Sequence, residues 1–171
     1  MAAVKKERLL AWLHDAHGME VQAEALLKGQ ANRVAHYPQL KARIEQHIEE
    51  TRVQAGLLEG CIDRLGGSTS SVKDLSGKLM AMGQTIGGLM AGDEVVKSIL
   101  SGYTFEHMEI ASYKILIAAA QEAGDLRTRE VCERILVEEE DMAQWLSDHL
   151  GQITRQYLGR ESHSNQANVG P

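Results

Sequence analysis

Four long stretches of this chain repeat apolar residues at helical spacing, and in each the apolar stripe is interrupted by a glutamate. Around residues 101–116, SGYTFEHMEIASYKIL, the stripe is Ile99, Tyr103, Ile110, Tyr113 and Ile117. Glu106 sits on it and Glu109 lies beside it. Glu20, Glu50 and Glu139 fall mid-stripe in the other three stretches. A carboxylate pointing into a helical core is costly to bury unless its charge is compensated. Four helices that each place an acid at core height are what an all-α bundle needs to hold a pair of metal ions.

Composition agrees with such a bundle. The chain has 171 residues, 43% of them hydrophobic, and only 2 prolines, enough for one domain with a sizeable core. Aromatics are 4%, so the core is aliphatic. The net charge of -6 and the pI of about 5.6, with no basic run, argue against nucleic acid or an anionic membrane as partner. Cys61 and Cys132 each fall inside an expected helix, with neither zinc spacing nor a disulfide framework, which fits a reducing cytoplasm. The N-terminal MAAVKKERLLAWLHDAH reads as an amphipathic helix, not a signal peptide. No window reaches the roughly 18 apolar residues of a membrane span.

Taken in order, helix one is expected over Val4 to Lys28, with stripe Leu9, Leu13, Ala16, Ala23 and Leu27 and a stop at Gly29. His17 and Glu24 flank Glu20. Pro38 starts helix two, since its missing N–H costs nothing in a first turn, and Gly66-Gly67 ends it near Leu65. His47, Glu50, Thr51 and Gln54 share one face of it. Ser70 or Ser71 is placed to cap the next helical segment. The Met- and Gly-rich run 72–91 reads as one or two short helices in a long crossover, which lets helices two and three run parallel. Asp93 caps helix three, Gly124 ends it, and Asp125 caps helix four. Helix four carries Cys132, Ile135, Leu136, Met142, Leu146 and Leu150 to a stop at Gly151, with a short turn over 152–158. The bundle thus occupies 1–158, and 159–171 reads as a disordered tail.

Iron and manganese are held by carboxylate oxygen with some imidazole. The usual bundle site takes a Glu from two helices and a Glu-x-x-His pair from each of the others. This chain has the glutamates without the pairs: Val53 follows Glu50 at i+3, Arg52 follows Glu49, and Met142 follows Glu139. His47 precedes Glu50 at the reversed spacing, and Glu106-x-x-Glu109 has carboxylate in place of imidazole. The blander readings are specific. Glu138, Glu140 and Asp141 form a solvated charged face, and His14, His36, His149 and His163 are surface groups. A histidine placed as His47 is more often a core or boundary residue than a ligand, and the methionines of the crossover are more often gap-filling core than ligands. Tyr113, one turn beyond Glu109, is placed to donate a hydrogen bond to a ligand carboxylate. The candidate metal residues are Glu20, His47, Glu50, Glu106, Glu109 and Glu139.

At the stretches DAHGMEVQ (15–22), HIEETRVQ (47–54), FEHMEIASY (105–113) and LVEEE (136–140) the sequence resembles the YciE/YciF-type ferritin-like family of bacterial stress-associated proteins. The resemblance spans about Leu9 to Leu150 and implies a ferritin-like bundle, often a homodimer, related to rubrerythrins, manganese catalases and ferritins. Carried over, Glu20, Glu50, Glu106, Glu109 and Glu139 fall on the family's acidic positions. Two departures bear on the site: Arg52 stands where some members have His, and Ala143 where many have Asp.

Three functions are the resulting expectations. The first is a cytoplasmic di-iron carboxylate protein, with manganese as the other candidate metal, that reacts Fe(II) with peroxide or oxygen. In it Glu106 or Glu50 bridges, and Glu20 and Glu139 are terminal. The second is a non-enzymatic, stress-associated structural bundle with a vestigial or mononuclear site, suggested by the absent Glu-x-x-His pairs and Ala143. The third and weakest is iron storage in a large cage.

Overall fold

The computed structural model of the chain describes residues 2–69 and 94–167. They form four helices: α1 (Ala2–Arg33), α2 (Pro38–Arg64), α3 (Glu94–Ala123) and α4 (Leu126–Ala167). No strand occurs among the described residues. The expected caps at Ser70, Ser71 and Asp93 and the crossover helices over 72–91 lie outside them.

Local chemistry places most of the boundaries. Pro38 opens α2, as its fixed φ and missing donor favour. Gly66, at φ 85, closes it, with Gly67 N–H donating to Ile62 O at 3.0 Å. Gly124, at φ 73, closes α3 in the same way, with Asp125 N–H donating to Ala120 O at 2.9 Å. Both are Schellman-type ends, where a left-handed residue is needed and glycine carries no Cβ penalty. Asp125 then caps α4: its Oδ1 accepts from Thr128 N–H at 3.2 Å and its Oδ2 from Thr128 Oγ1 at 2.8 Å.

Two expected stops give way. The helix runs through Gly29 to Arg33 and through Gly151 to Ala167, so 159–167 is helix where a disordered tail was expected. A helical glycine costs only about 1 kcal/mol. Beyond Gly29, Ala31 and Val34 are buried, and beyond Gly151, Ile153 is buried. These anchors outweigh the glycines.

End-to-end contacts define the topology. Lys5 near the start of α1 pairs with Glu122 at the end of α3, at 2.6 Å. Arg64 at the end of α2 pairs with Asp125 at the start of α4, at 2.8 Å. The ends of α2 and α3 therefore lie together, and these two helices run parallel, as a long crossover allows. The main packing is α3 on α4 and α1 on α2, with α1 on α3 next and α2 on α4 after it.

The apolar core is divided in two. One cluster holds Leu9, Leu13, Leu58, Ile62, Leu116 and Ile135, and the other Leu27, Val34, Leu40, Ile44, Met142 and Leu146. The buried polar side chains Glu20, His47, Thr51, Gln54, Glu106, Glu109 and Glu139 cluster where the two meet. No helix of the described residues is long and apolar enough to cross a membrane.

Candidate metal centre

Helical spacing delivers one acid from α1, two from α3 and one from α4 to the same level. Glu20, Glu106, Glu109 and Glu139 are each at most 2% exposed. Glu106 and Glu109, three residues apart, share one face of α3. From α2 the inward group is His47, at 1% exposure. His47, Glu106, Glu109 and Glu139 each offer a ligand atom, and these atoms lie within 4.8 Å of one another. His47 Nε2 stands 3.2 Å from Glu106 Oε2 and 3.5 Å from Glu139 Oε2.

Glu20 enters from α1, and its Oε1 accepts a hydrogen bond from the Tyr113 hydroxyl. The expected hydrogen bond from Tyr113 to a carboxylate of the group therefore exists, directed to Glu20 on the neighbouring helix.

Glu50 stands apart from this group. It is partly exposed and sits on the outer side of the imidazole, with its Oε2 2.8 Å from His47 Nδ1 and 3.0 Å from Arg43 Nη1. Gln46 Nε2 donates to its Oε1 at 2.7 Å. The expectation of Glu50 as a bridging acid does not match this position. Arg43, which no periodic pattern singles out, holds Glu50 outward, and Glu50 in turn orients His47 toward the acids.

Arg52 also differs from a ligand in its placement. It is exposed and pairs with Glu24 at 2.6 Å and with Glu49, tying α2 to α1 on the surface. Glu24, beside Glu20 in sequence, is thereby outside the centre. Ala143 is buried at 4% and leaves that position without a donor. Of the acids around Glu139, Glu140 and Asp141 are exposed, whereas Glu138 accepts from the buried Gln54 at 2.9 Å.

The electrostatics follow from four buried carboxyls around one imidazole. Burial, with Glu139 and Glu106 nearby, pushes Glu20 well above the usual carboxylate range, although Tyr113 opposes this. Burial and the surrounding Glu20, Glu139 and Glu106 push Glu109 well up too. Burial raises Glu106 to about 7 against the opposing pull of His47. Burial alone would lower His47, but Glu106, Glu139 and Glu50 around it lift it to about 12. Glu50 is held down at about 2, chiefly by His47 and then Arg43.

Three carboxylate oxygens in this layer, Glu20 Oε2, Glu109 Oε1 and Glu139 Oε1, are buried with no hydrogen-bond partner, and Glu106 Oε2 and Glu139 Oε2 share the single imidazole nitrogen of His47. Orphaned buried acceptors of this kind are rare in a folded protein. An oxygen-rich set with one imidazole suits a cation of the iron or manganese type.

Fold and site together define a ferritin-like four-helix bundle with a buried His/Glu cluster compatible with a metal site. The chain matches the domain of unknown function DUF892 over residues 4–159 and belongs to that family. It is similar to a protein of Xanthomonas campestris pv. campestris of known structure, at 41% identity and a TM-score of 0.80, covering 92% of this chain and 98% of that one. It shares its fold with YciF, a stress protein of E. coli, at 21% identity and a TM-score of 0.67, over 85% of this chain and 94% of that one. The Desulfovibrio desulfuricans bacterioferritin, a protein with a diiron site, also shares the fold, at 20% identity and a TM-score of 0.72, over 94% of this chain and 90% of that one.

Proposed function

We propose that this protein is a stress-associated, cytoplasmic metal-binding bundle that holds iron, with manganese as the competing ion, and works as a homodimer. The observation that carries the reading is the convergence of four buried carboxylates on the single imidazole of His47, with Glu20 Oε2, Glu109 Oε1 and Glu139 Oε1 meeting no hydrogen-bond partner. Glu20, Glu106, Glu109, Glu139 and the Nε2 of His47 would hold the metal. Glu106, which approaches both His47 and Glu139, would be central to that set.

When bound, a ferrous pair would supply two electrons to reduce one peroxide to two waters, with two protons taken up. The chain's own groups handle the protons. Glu106, raised to about 7, and the more strongly raised Glu20 and Glu109 hold protons in the absence of a cation and release them on binding one. His47 must also surrender its proton to ligate, and Glu50 on its Nδ1 keeps the ring oriented. Tyr113 fixes Glu20. Two apolar clusters above and below exclude bulk water.

A second reading is favoured by one observation: Glu50 lies outside the group, so His47, Glu106, Glu109 and Glu139 make a set sufficient for one ion. Anaerobic titration with Fe(II), with Glu106→Ala alongside, separates the two. About two ions per chain, lost in the variant, is the outcome for a di-iron centre. About one identifies the mononuclear site, and less than one refutes metal binding. A native mass near twice the 18.8 kDa chain is expected for the dimer, and a large cage would contradict it.

A further inference from the structure

A small cavity lies on the bundle axis beside the centre, enclosed by residues of all four helices, among them Gln30, Ile44, Ser98, Gly102, Glu106 and Leu146. Its volume is about 10 Å³, which is room for a single water. Gly102, one turn before Glu106 on α3, creates this space. A Cβ on it would stand 3.6 Å from Leu146 Cδ1 and 4.0 Å from Gln30 Oε1, so a larger side chain would project into the gap.

Exposure gives the cavity a direction. Gly102 and Gln30 are partly exposed, whereas Ser98 and Glu106 are buried. The opening to solvent is therefore at Gly102 and Gln30, and Glu106 forms the floor. There the Glu106 carboxylate lies buried, with its Oε2 3.2 Å from His47 Nε2. Apart from Gln30, Ser98 and Glu106 the walls are apolar. An ion crossing them would lose hydration without replacement, but a neutral molecule would not.

We propose that the gap at Gly102 is the route by which water and neutral molecules of similar size reach the carboxylate centre, and that one water resides there on the Glu106 carboxylate. The resident water stands on the cavity alone; delivery to a bound metal rests on the metal reading above.

The test compares wild type with Gly102→Val, which fills the gap, and Gly102→Ala, which fits at ordinary contact distance. Gln30→Trp closes the same opening from α1 and serves should Gly102→Val not fold. In crystals of the metal-free wild type, one ordered solvent peak is expected in the cavity within about 3.2 Å of a Glu106 carboxylate oxygen, and it should vanish in Gly102→Val. An empty cavity in wild type would overturn the proposal. The second readout uses nitric oxide, a neutral diatomic, mixed with anaerobically Fe(II)-loaded protein in stopped flow. Unchanged iron stoichiometry is expected, with binding slowed by about tenfold or more in Gly102→Val or Gln30→Trp and little changed in Gly102→Ala. Equal rates in all variants would exclude this route. Should wild type bind no Fe(II), the metal reading fails, and the solvent peak alone decides the water site.

Discussion

Glu109 shows what a buried acid costs this protein. It is 1% exposed, and its carboxyl is pushed well up by burial and by the surrounding acids. At pH 8 the unfolded chain carries this group ionised, so folding without a cation must protonate it or bury its charge. Glu109→Gln removes that cost. In chelator at pH 8 the variant is expected to be more stable than wild type by about 1–3 kcal/mol, while binding metal less well. Thermal melts with and without metal check both halves. Tyr113→Phe acts in the opposite sense, since it strips Glu20 Oε1 of its donor. A loss of about 1–3 kcal/mol is expected by chemical denaturation. At the same scale the sequence was informative in part. Glu20, Glu106, Glu109 and Glu139 were legible because helical period alone puts them on the apolar stripes. His47 and Glu50 exchanged prominence because both lie near the inward face of α2. Which one turns in is decided by Arg43 and Gln46 gripping Glu50 from outside, and no periodic pattern encodes that grip.

Helices were readable wherever a residue imposes its own geometry. Pro38, the left-handed Gly66 and Gly124, and the capping Asp125 all stand where the spacing put them. Gly29 and Gly151 misled because a glycine in helical conformation only weakens a helix, and buried side chains beyond each one carry the helix on. Asp125 has the larger role at this scale. Besides capping α4 it binds Arg64 of α2 at 2.8 Å, so one side chain starts a helix and ties it to another at the same end of the bundle. Asp125→Ala is expected to destabilise the protein by about 1–2 kcal/mol, measured as a shift of the urea midpoint with unchanged slope.

For the whole molecule, the buried cluster makes stability without metal a function of pH. Glu106 is raised from an ordinary carboxylate to about 7. Its folded form therefore binds more protons than its unfolded form, and the stability it lends is lost as pH rises toward 7. His47, raised to about 12, loses its contribution as pH climbs from about 6.5 upward. Glu50, lowered to about 2, contributes above the ordinary carboxylate pKa and loses it on acidification toward 2. Metal-free protein is thus expected to be most stable near pH 5 and to weaken steadily toward pH 9. A cation that replaces the protons should reverse the trend, so the rise in Tm on adding Fe(II) or Mn(II) is expected to be larger at pH 8 than at pH 5. Melting curves in chelator and in metal across that range test the sign. The long crossover allowed the parallel course of α2 and α3, and the helix pattern put an acid at core height on each helix. The orientation of side chains inside the polar layer was not legible, because it depends on contacts between helices far apart in sequence.

The central claim is that the polar layer holds a metal, and anomalous X-ray scattering tests it most directly. Crystals grown anaerobically with Fe(II), measured on either side of the iron edge, locate the ion without assuming any activity. A strong anomalous peak among Glu20, His47, Glu106, Glu109 and Glu139 is the expected result, with a second peak distinguishing the dinuclear from the mononuclear centre. A well-ordered crystal with these five side chains in place and no anomalous density between them would contradict it, leaving a protonated His47 to balance the acids alone.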